Sequence, residues 1–324
     1  MEKCIQIPDL FERRILLVTG KGGVGKTTVA AAMARMAAAI GKRVLALDTE
    51  RDLHSPSQLL RALGGPSNFD NDEPYELTSH LYCARLSSKA GHHKFLEDNL
   101  PFKWLAKAAA NSKYIQSFLA ATPGFQELGI LYRILPYVRQ KDTKGQNFYD
   151  LIITDLPATG HALALTSMPK PMLSVFESGP IASSIREAQG YFNNPECTGF
   201  VVVSLPEPLV VNETIELIQG LFRDQVDPIA VFLNNIPPDP FDQREHQTMN
   251  QLLTKIPHDL SGISSYQQIL HASEAKHQLA HQLAQLQKIL PLYYLRKQPD
   301  LPAIQRVSAI LEDLWMGATL PVYG

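Results

Sequence analysis

The sequence predicts an α/β protein: a mostly parallel sheet with helices on both faces and an inserted helical subdomain. Three observations lead there. Short apolar runs alternate with stretches of helical pattern along most of the chain. Most of those runs are continuous rather than alternating, as strands covered on both faces should be. Two long stretches, 87–146 and 161–198, break the alternation with helix-like pieces and no convincing strand. They are expected to form one helical subdomain at an edge of the sheet, within a single domain spanning 1–324.

The elements follow in order. Arg14–Thr19 reads as a buried strand, and Lys26–Ile40 as a helix stopped by Gly41. Further strands are expected at Arg43–Asp48, Leu81–Leu86, Asp150–Asp155, Gly199–Leu205, Asp227–Leu233 and Ile289–Leu295. Helical pieces in the first insert lie near Phe95–Ala110, Tyr114–Ala121 and Gly124–Arg139, with Pro123-Gly124 as a turn. A long helix is expected from Tyr266 to Leu286 and a last one from Ala303 to Met316, followed by a loose tail.

Composition bounds the function. Of 324 residues, 45% are hydrophobic and 19% charged, which is ample for a core. Thirty basic against thirty-two acidic residues leave a formal charge of −2, so a nucleic-acid-coating role, which needs a basic excess, is not expected. No apolar run approaches the ~20 residues that span a bilayer. The start, Met1-Glu2-Lys3-Cys4, lacks the basic-then-apolar pattern of a secretory leader. Three scattered cysteines with no C-x-x-C fit no disulfide framework, and a reduced, cytoplasmic protein is expected.

Gly20-Lys21-Gly22-Gly23-Val24-Gly25-Lys26-Thr27-Thr28 matches G-x-x-x-x-G-K-[ST], placed between a predicted strand and a predicted helix. Gly20, Gly22, Gly23, Val24, Gly25, Lys26, Thr27 and Thr28 are therefore the candidate cradle for a nucleotide's phosphates. Glycines let backbone N–H groups turn inward, and the helix that follows offers its positive end to the anion. Lys26 would reach the β- and γ-phosphates, and the Thr27 hydroxyl would ligate Mg²⁺. ATP and Mg²⁺ are the implied ligands. Asp155, at the end of a strand, is the candidate partner of the metal's waters.

With its second lysine, Lys21, the loop G-K-G-G-V-G-K-T-T resembles that of the deviant Walker A class of P-loop NTPases. Asp155-Leu-Pro-Ala-Thr-Gly-His-Ala-Leu163 resembles the switch II of the ArsA family, D-T-A-P-T-G-H-T-L, with proline and alanine exchanged in order. Thr122–Leu128 resembles the family's P-G-x-x-E-L helix start, and Ser204–Thr214 its L-P-E-x-x-x-x-N-E-T joint. The segment Phe232–Pro238 resembles its strand-end asparagine that reads adenine, with Asn234 the first choice and Asn235 the second. The resemblance spans positions 14 to 240.

It implies an ATPase that closes as a dimer, with Lys21 completing the partner's triphosphate site. It implies that Asp48 opens switch I and orients the attacking water. There the chain departs from the family: D-P-A-H-x-L-x-D is replaced by Asp48-Thr-Glu-Arg-Asp-Leu-His-Ser55. His161 is left open between a switch role and a helix-capping or core role. Catalytic candidates are thus Lys21, Lys26 and Asp48, and metal candidates Thr27 and Asp155.

Three functions are consistent with these residues. The first is a dimeric ATP-hydrolysing switch that handles a partner or cargo, such as a membrane-protein segment or an anion pump. The second is a nucleotide-binding subunit of a paralogous heterodimer with little hydrolysis of its own. The third is a positioning ATPase of the ParA/MinD kind. Apolar residues of the inserts (Phe102, Trp104, Leu105, Phe118, Leu119, Met168, Met172, Leu173, Val175, Phe176) could line a cargo groove or form the subdomain's own core. Arsenite binding by Cys83 and Cys197 is not expected, and neither is a metal at His277 and His281.

Overall fold

A computed structural model describes residues 7–49, 56–66, 73–86, 91–92, 94–95, 97, 112, 125–157, 160–167, 172–174, 177–237, 241, 243–253, 261–285, 290–297, 305–307 and 310. Among these, eight strands form one sheet. They are β1 Ile15–Thr19, β2 Val44–Asp48, β3 Tyr75–Thr78, β4 Leu81–Arg85, β5 Leu151–Asp155, β6 Thr198–Ser204, β7 Pro228–Ile236 and β8 Leu292–Arg296. Their spatial order is β3-β4-β2-β5-β1-β6-β7-β8. Every pair is parallel except β3 with β4.

The helices are α1 Ile7–Leu10, α2 Lys26–Ala39, α3 Gln58–Ala62, α4 Phe125–Arg139, α5 Gly160–Ser167, α6 Pro180–Phe192, α7 Pro208–Arg223, α8 Gln243–Leu253 and α9 Ser261–Gln285. The mostly parallel, helix-covered sheet matches the fold class that the apolar runs predict. The observed ends of the seven predicted strands lie within a few residues of those read from sequence.

The continuous apolar strands have the expected cause. In β1, Ile15 and Leu17 join one buried cluster while Leu16 and Val18 join another, so successive side chains feed opposite faces. In β7, Val231 and Leu233 go to the first cluster, and Ala230 and Phe232 to the second. The first cluster lies under α4, α5, α6, α7 and α9. The second lies under α2 and α3. Phe232 also stacks on Tyr293 of β8, with ring centroids 4.8 Å apart.

Helix α2 is apolar almost all round, as a central buried helix should be. Val29–Ala34, Met36 and Ala37 are all buried, and the run of alanines lets the helix lie close on the sheet. Strand β3 was not foreseen. Its Tyr-Glu-Leu-Thr sequence is largely exposed and pairs antiparallel with β4 at the sheet's edge. Only one face of an edge hairpin needs covering, so no apolar run announces it.

Much of the stretches expected to form a helical subdomain, including Phe102, Trp104, Leu105, Phe118, Leu119, Met168, Val175 and Phe176, lies outside the described residues. Within the described part, α4 packs on α5 and α6. Met172 is a buried member of the first cluster and Leu173 packs against it, so both serve the core.

Leu16 is fully buried at the middle of the central strand. Leu16→Ala removes packing on the α2 face and should destabilise the protein by about 2–5 kcal/mol, read from urea midpoints at constant m.

Candidate active site

The site forms where the parallel strands end. Asp48 and Asp155 are direct neighbours in the register of β2 and β5, and Asp155 in turn pairs with Val18 of β1. The chain then leaves β1 at Thr19 and makes the glycine loop into α2. Loops at the carboxyl ends of a parallel sheet are the usual seat of a nucleotide.

Two glycines are required by contact as well as by conformation. Gly20 has φ +147°, and a Cβ there would lie 2.1 Å from the Val203 carbonyl oxygen of β6. Gly25 caps α2 at φ +92°, and its Cβ would meet the Asn234 amide nitrogen at 2.4 Å. A side chain at Gly20 would push the loop off β6, and one at Gly25 would displace the Asn234 amide and strain a left-handed backbone. Gly22 and Gly23 sit at the exposed crest, while Val24 is buried beneath it.

Lys26 is half-buried, and its Nζ donates to the Lys21 carbonyl at 3.0 Å. Burial pulls its pKa below the ordinary lysine value, and the nearby Asp155 carboxylate works against that shift. A partly desolvated cation inside a loop of backbone N–H groups is a strong attractor for phosphate. The Thr27 hydroxyl donates to Asp155 Oδ2 at 2.5 Å. Asp155 is only 8% exposed. Hydroxyl and carboxylate are the hard oxygen donors that Mg²⁺ takes, so Thr27 and Asp155 fit the metal. When bound, Mg²⁺ supplies charge neutralisation on the phosphates.

Asp48 is buried at 3% exposure. It accepts a short hydrogen bond from the Ser57 hydroxyl. Ser57 also caps α3, its oxygen accepting from the Leu60 N–H at 3.0 Å. Thr49, next in sequence, donates to the Asp155 backbone carbonyl. The ends of β2 and β5 are therefore tied together by side chains as well as by the ladder. Residues 50–55, the altered part of the segment, lie outside the described residues, as do Ala158, Thr159 and the His161 side chain.

Asn234 stands against the loop. Its amide nitrogen donates to the Val24 carbonyl at 2.9 Å. One N–H of the amide thus braces the phosphate loop. Asn235 follows in the left-handed region at φ 61°, where the register of β7 against β8 shifts between Leu233 and Ile236.

Lys21 does not point into its own loop. Its Nζ lies 2.7 Å from Glu213 Oε1 on α7. Sequence reasoning missed Glu213, although the N-E-T string that contains it stood out. Ser57 was missed as well. Its signal is a serine just before Gln58-Leu-Leu, a helix-start pattern.

Two substitutions probe this geometry. Thr27→Val keeps the β-branched shape and removes the hydroxyl. It should weaken Mg²⁺-dependent ATP binding by about tenfold or more, with a smaller loss in EDTA, both read by titration calorimetry. Gly20→Ala must displace a backbone carbonyl rather than a flexible side chain. It should cost about 1–3 kcal/mol of stability and abolish nucleotide binding.

A family model for anion-transporting ATPases matches residues 13–181, just over half of the chain, including the loop, Asp48 and Asp155. The ATPase BagA of Mycobacterium tuberculosis is 26% identical over 225 residues, covering 69% of this chain and 66% of that protein, just under two thirds of its length. The ATPase asna-1 of Caenorhabditis elegans is 23% identical over 276 residues, covering 71% and 77%. The ATPase GET3 of Phaeosphaeria nodorum is 26% identical over 277 residues, covering 73% and 81%. With its glycine loop on β1, its threonine–aspartate contact and a family match across that whole region, the chain belongs to the ArsA family of anion-transporting ATPases.

Proposed function

We propose that this chain binds ATP with Mg²⁺ and hydrolyses it as one half of a dimer, using the nucleotide state to handle a partner or cargo. The observation that carries the reading is the arrangement of Lys26, Thr27, Asp155 and Asp48 around one glycine loop. Phosphoryl transfer asks little covalent chemistry of a protein. Positioning and charge neutralisation do most of it.

The residues divide that work. Backbone N–H groups of the loop and Lys26 hold the phosphates. Thr27 and Asp155 are the residues that would hold Mg²⁺. Asp48 orients the attacking water. Asn234 keeps the loop in shape, and the remaining donor and acceptor of its amide are the groups that would read a base edge. Lys21, held at the loop's outer side, is the charge offered to a second copy, where it would stabilise the partner's transition state.

Switching follows from the same contacts. Asp48 is tied through Ser57 to α3, and Asp155 leads into α5. Any change at the phosphates that moves either carboxylate reaches a helix through one hydrogen bond or through the short connection from Asp155 to Gly160. The pairing and the cargo are part of the proposal. Among the described residues no helix is long and apolar enough to cross a membrane.

A second reading, the weakly active partner subunit, draws on Asp48. The Ser57 hydroxyl already occupies one of its carboxylate oxygens, and the family's P-A-H is missing beside it. The two readings part on concentration. ATPase rate per chain that rises steeply with protein concentration supports productive self-pairing. A flat, near-zero rate supports the partner subunit. Lys21→Ala should keep ATP affinity within about twofold and lower turnover by ~10²-fold or more, the scale of a lost transition-state donor. Normal turnover in Lys21→Ala would remove the trans-lysine mechanism.

A further inference from the structure

We infer that Glu213 is a positioning residue for Lys21: it holds the loop lysine against its own chain and so sets how readily that lysine is offered to a second copy. The inference rests on the trans-lysine reading above and adds a residue and a control to it.

Two lysines five positions apart in one loop face different anions. Lys26 is turned inward, bonded to the Lys21 carbonyl and drawn toward Asp155. Lys21 is turned outward, with its ammonium 2.7 Å from Glu213. In this conformation Lys21 cannot neutralise its own chain's phosphates, because its charge is spent on α7.

The carboxylate is placed by its neighbours, not by the lysine. Asn212, just before it, accepts from Gln278 Nε2 of α9 at 2.9 Å. Thr214, just after it, lies 2.8 Å hydroxyl to hydroxyl from Ser204 at the end of β6, and donates to the Val210 carbonyl at 2.7 Å. The first turns of α7 are thereby fastened to β6 on one side and α9 on the other. Each residue of the N-E-T string makes one of three contacts: helix to helix, helix to loop, helix to strand. The first and last are internal scaffolding. The middle one joins two charged groups that are each about one-third exposed, 33% and 36%.

That exposure decides what the pair can do. A fully buried pair would lock the loop, because breaking it would strand a charge. A pair at the solvent boundary holds about two- to fivefold in an equilibrium. It is strong enough to select one rotamer of a long side chain and weak enough to yield to a triphosphate. One helical turn before Glu213, at i−4 on the same face, Leu209 is 65% exposed. The ground beside the pair is thus open to an approaching surface. In a two-fold dimer each chain would release its lysine to the other's nucleotide, and the contact would be reciprocal.

Glu213→Gln tests this, since the amide keeps the shape and drops the charge. The first measurement is amine labelling of the nucleotide-free protein with an N-hydroxysuccinimide ester, read residue by residue by mass spectrometry. Lys21 should react about two- to fivefold faster in the variant, with Lys26 unchanged. The second is ATPase rate against protein concentration. The half-maximal concentration should fall by a similar factor, because less of the lysine is held back. Equal labelling of Lys21 in both proteins overturns the inference. So does faster labelling with a half-maximal concentration that stays put or rises, for then Glu213 holds the lysine without governing its release. Full turnover by Lys21→Ala instead takes down the trans-lysine reading, whatever the labelling shows.

Discussion

The loop that makes the site depends on one steric constraint, the approach of Gly20 to the carbonyl of Val203. Strand β1 lies at the centre of the sheet, between β5 and β6, and its chain must leave the sheet and enter α2 within a few residues. Only a residue without a side chain can pass that close to β6. Asn234, one strand further out, closes the same loop from the other side by taking hold of Val24 and filling the space beside Gly25. The phosphate cradle is therefore backbone clamped between β6 and the end of β7 by the chain's own contacts. Preorganisation of this kind is what lets dipoles stabilise charge without reorganising during the reaction.

Within that frame, burial sorts the charges. Lys26 is desolvated, which raises the energy of its charged form and makes an incoming phosphate more welcome. Asp48 and Asp155 are buried at adjacent positions, and two carboxylates so placed need donors. Ser57 serves the first and Thr27 the second. Each donor belongs to a helix start, so both acids report to helices. Lys21 and Glu213 lie outside this dry zone, where charge pairs are exchangeable.

Legibility in the sequence followed the range of the interaction. The glycine loop, Lys26, Thr27 and the strand-end aspartates were readable because a short string carries a whole mechanism. The strands were readable because burial on both faces leaves an unbroken apolar run. Strand β3 was not, since an exposed edge imposes no such pattern. The Lys21–Glu213 contact joins residues 192 positions apart, and no local pattern announces a long-range pair. Asn234 shows a subtler limit. The family resemblance proposes it for the base, whereas its position shows it steadying the loop, a duty that only the folded neighbourhood of β7 and α2 reveals.

Helix α2 has a mechanical meaning. Alanines, with Val29, Met33 and Met36 among them, seat it against the sheet with every side chain from Val29 to Ala34 buried, so sliding would disrupt close packing at once. The floor of the pocket is in effect welded. In the switch proposed above, displacement driven from the phosphates would then pass to α3 behind Ser57 rather than to α2, and an anvil of small residues determines which limb of the molecule is able to swing.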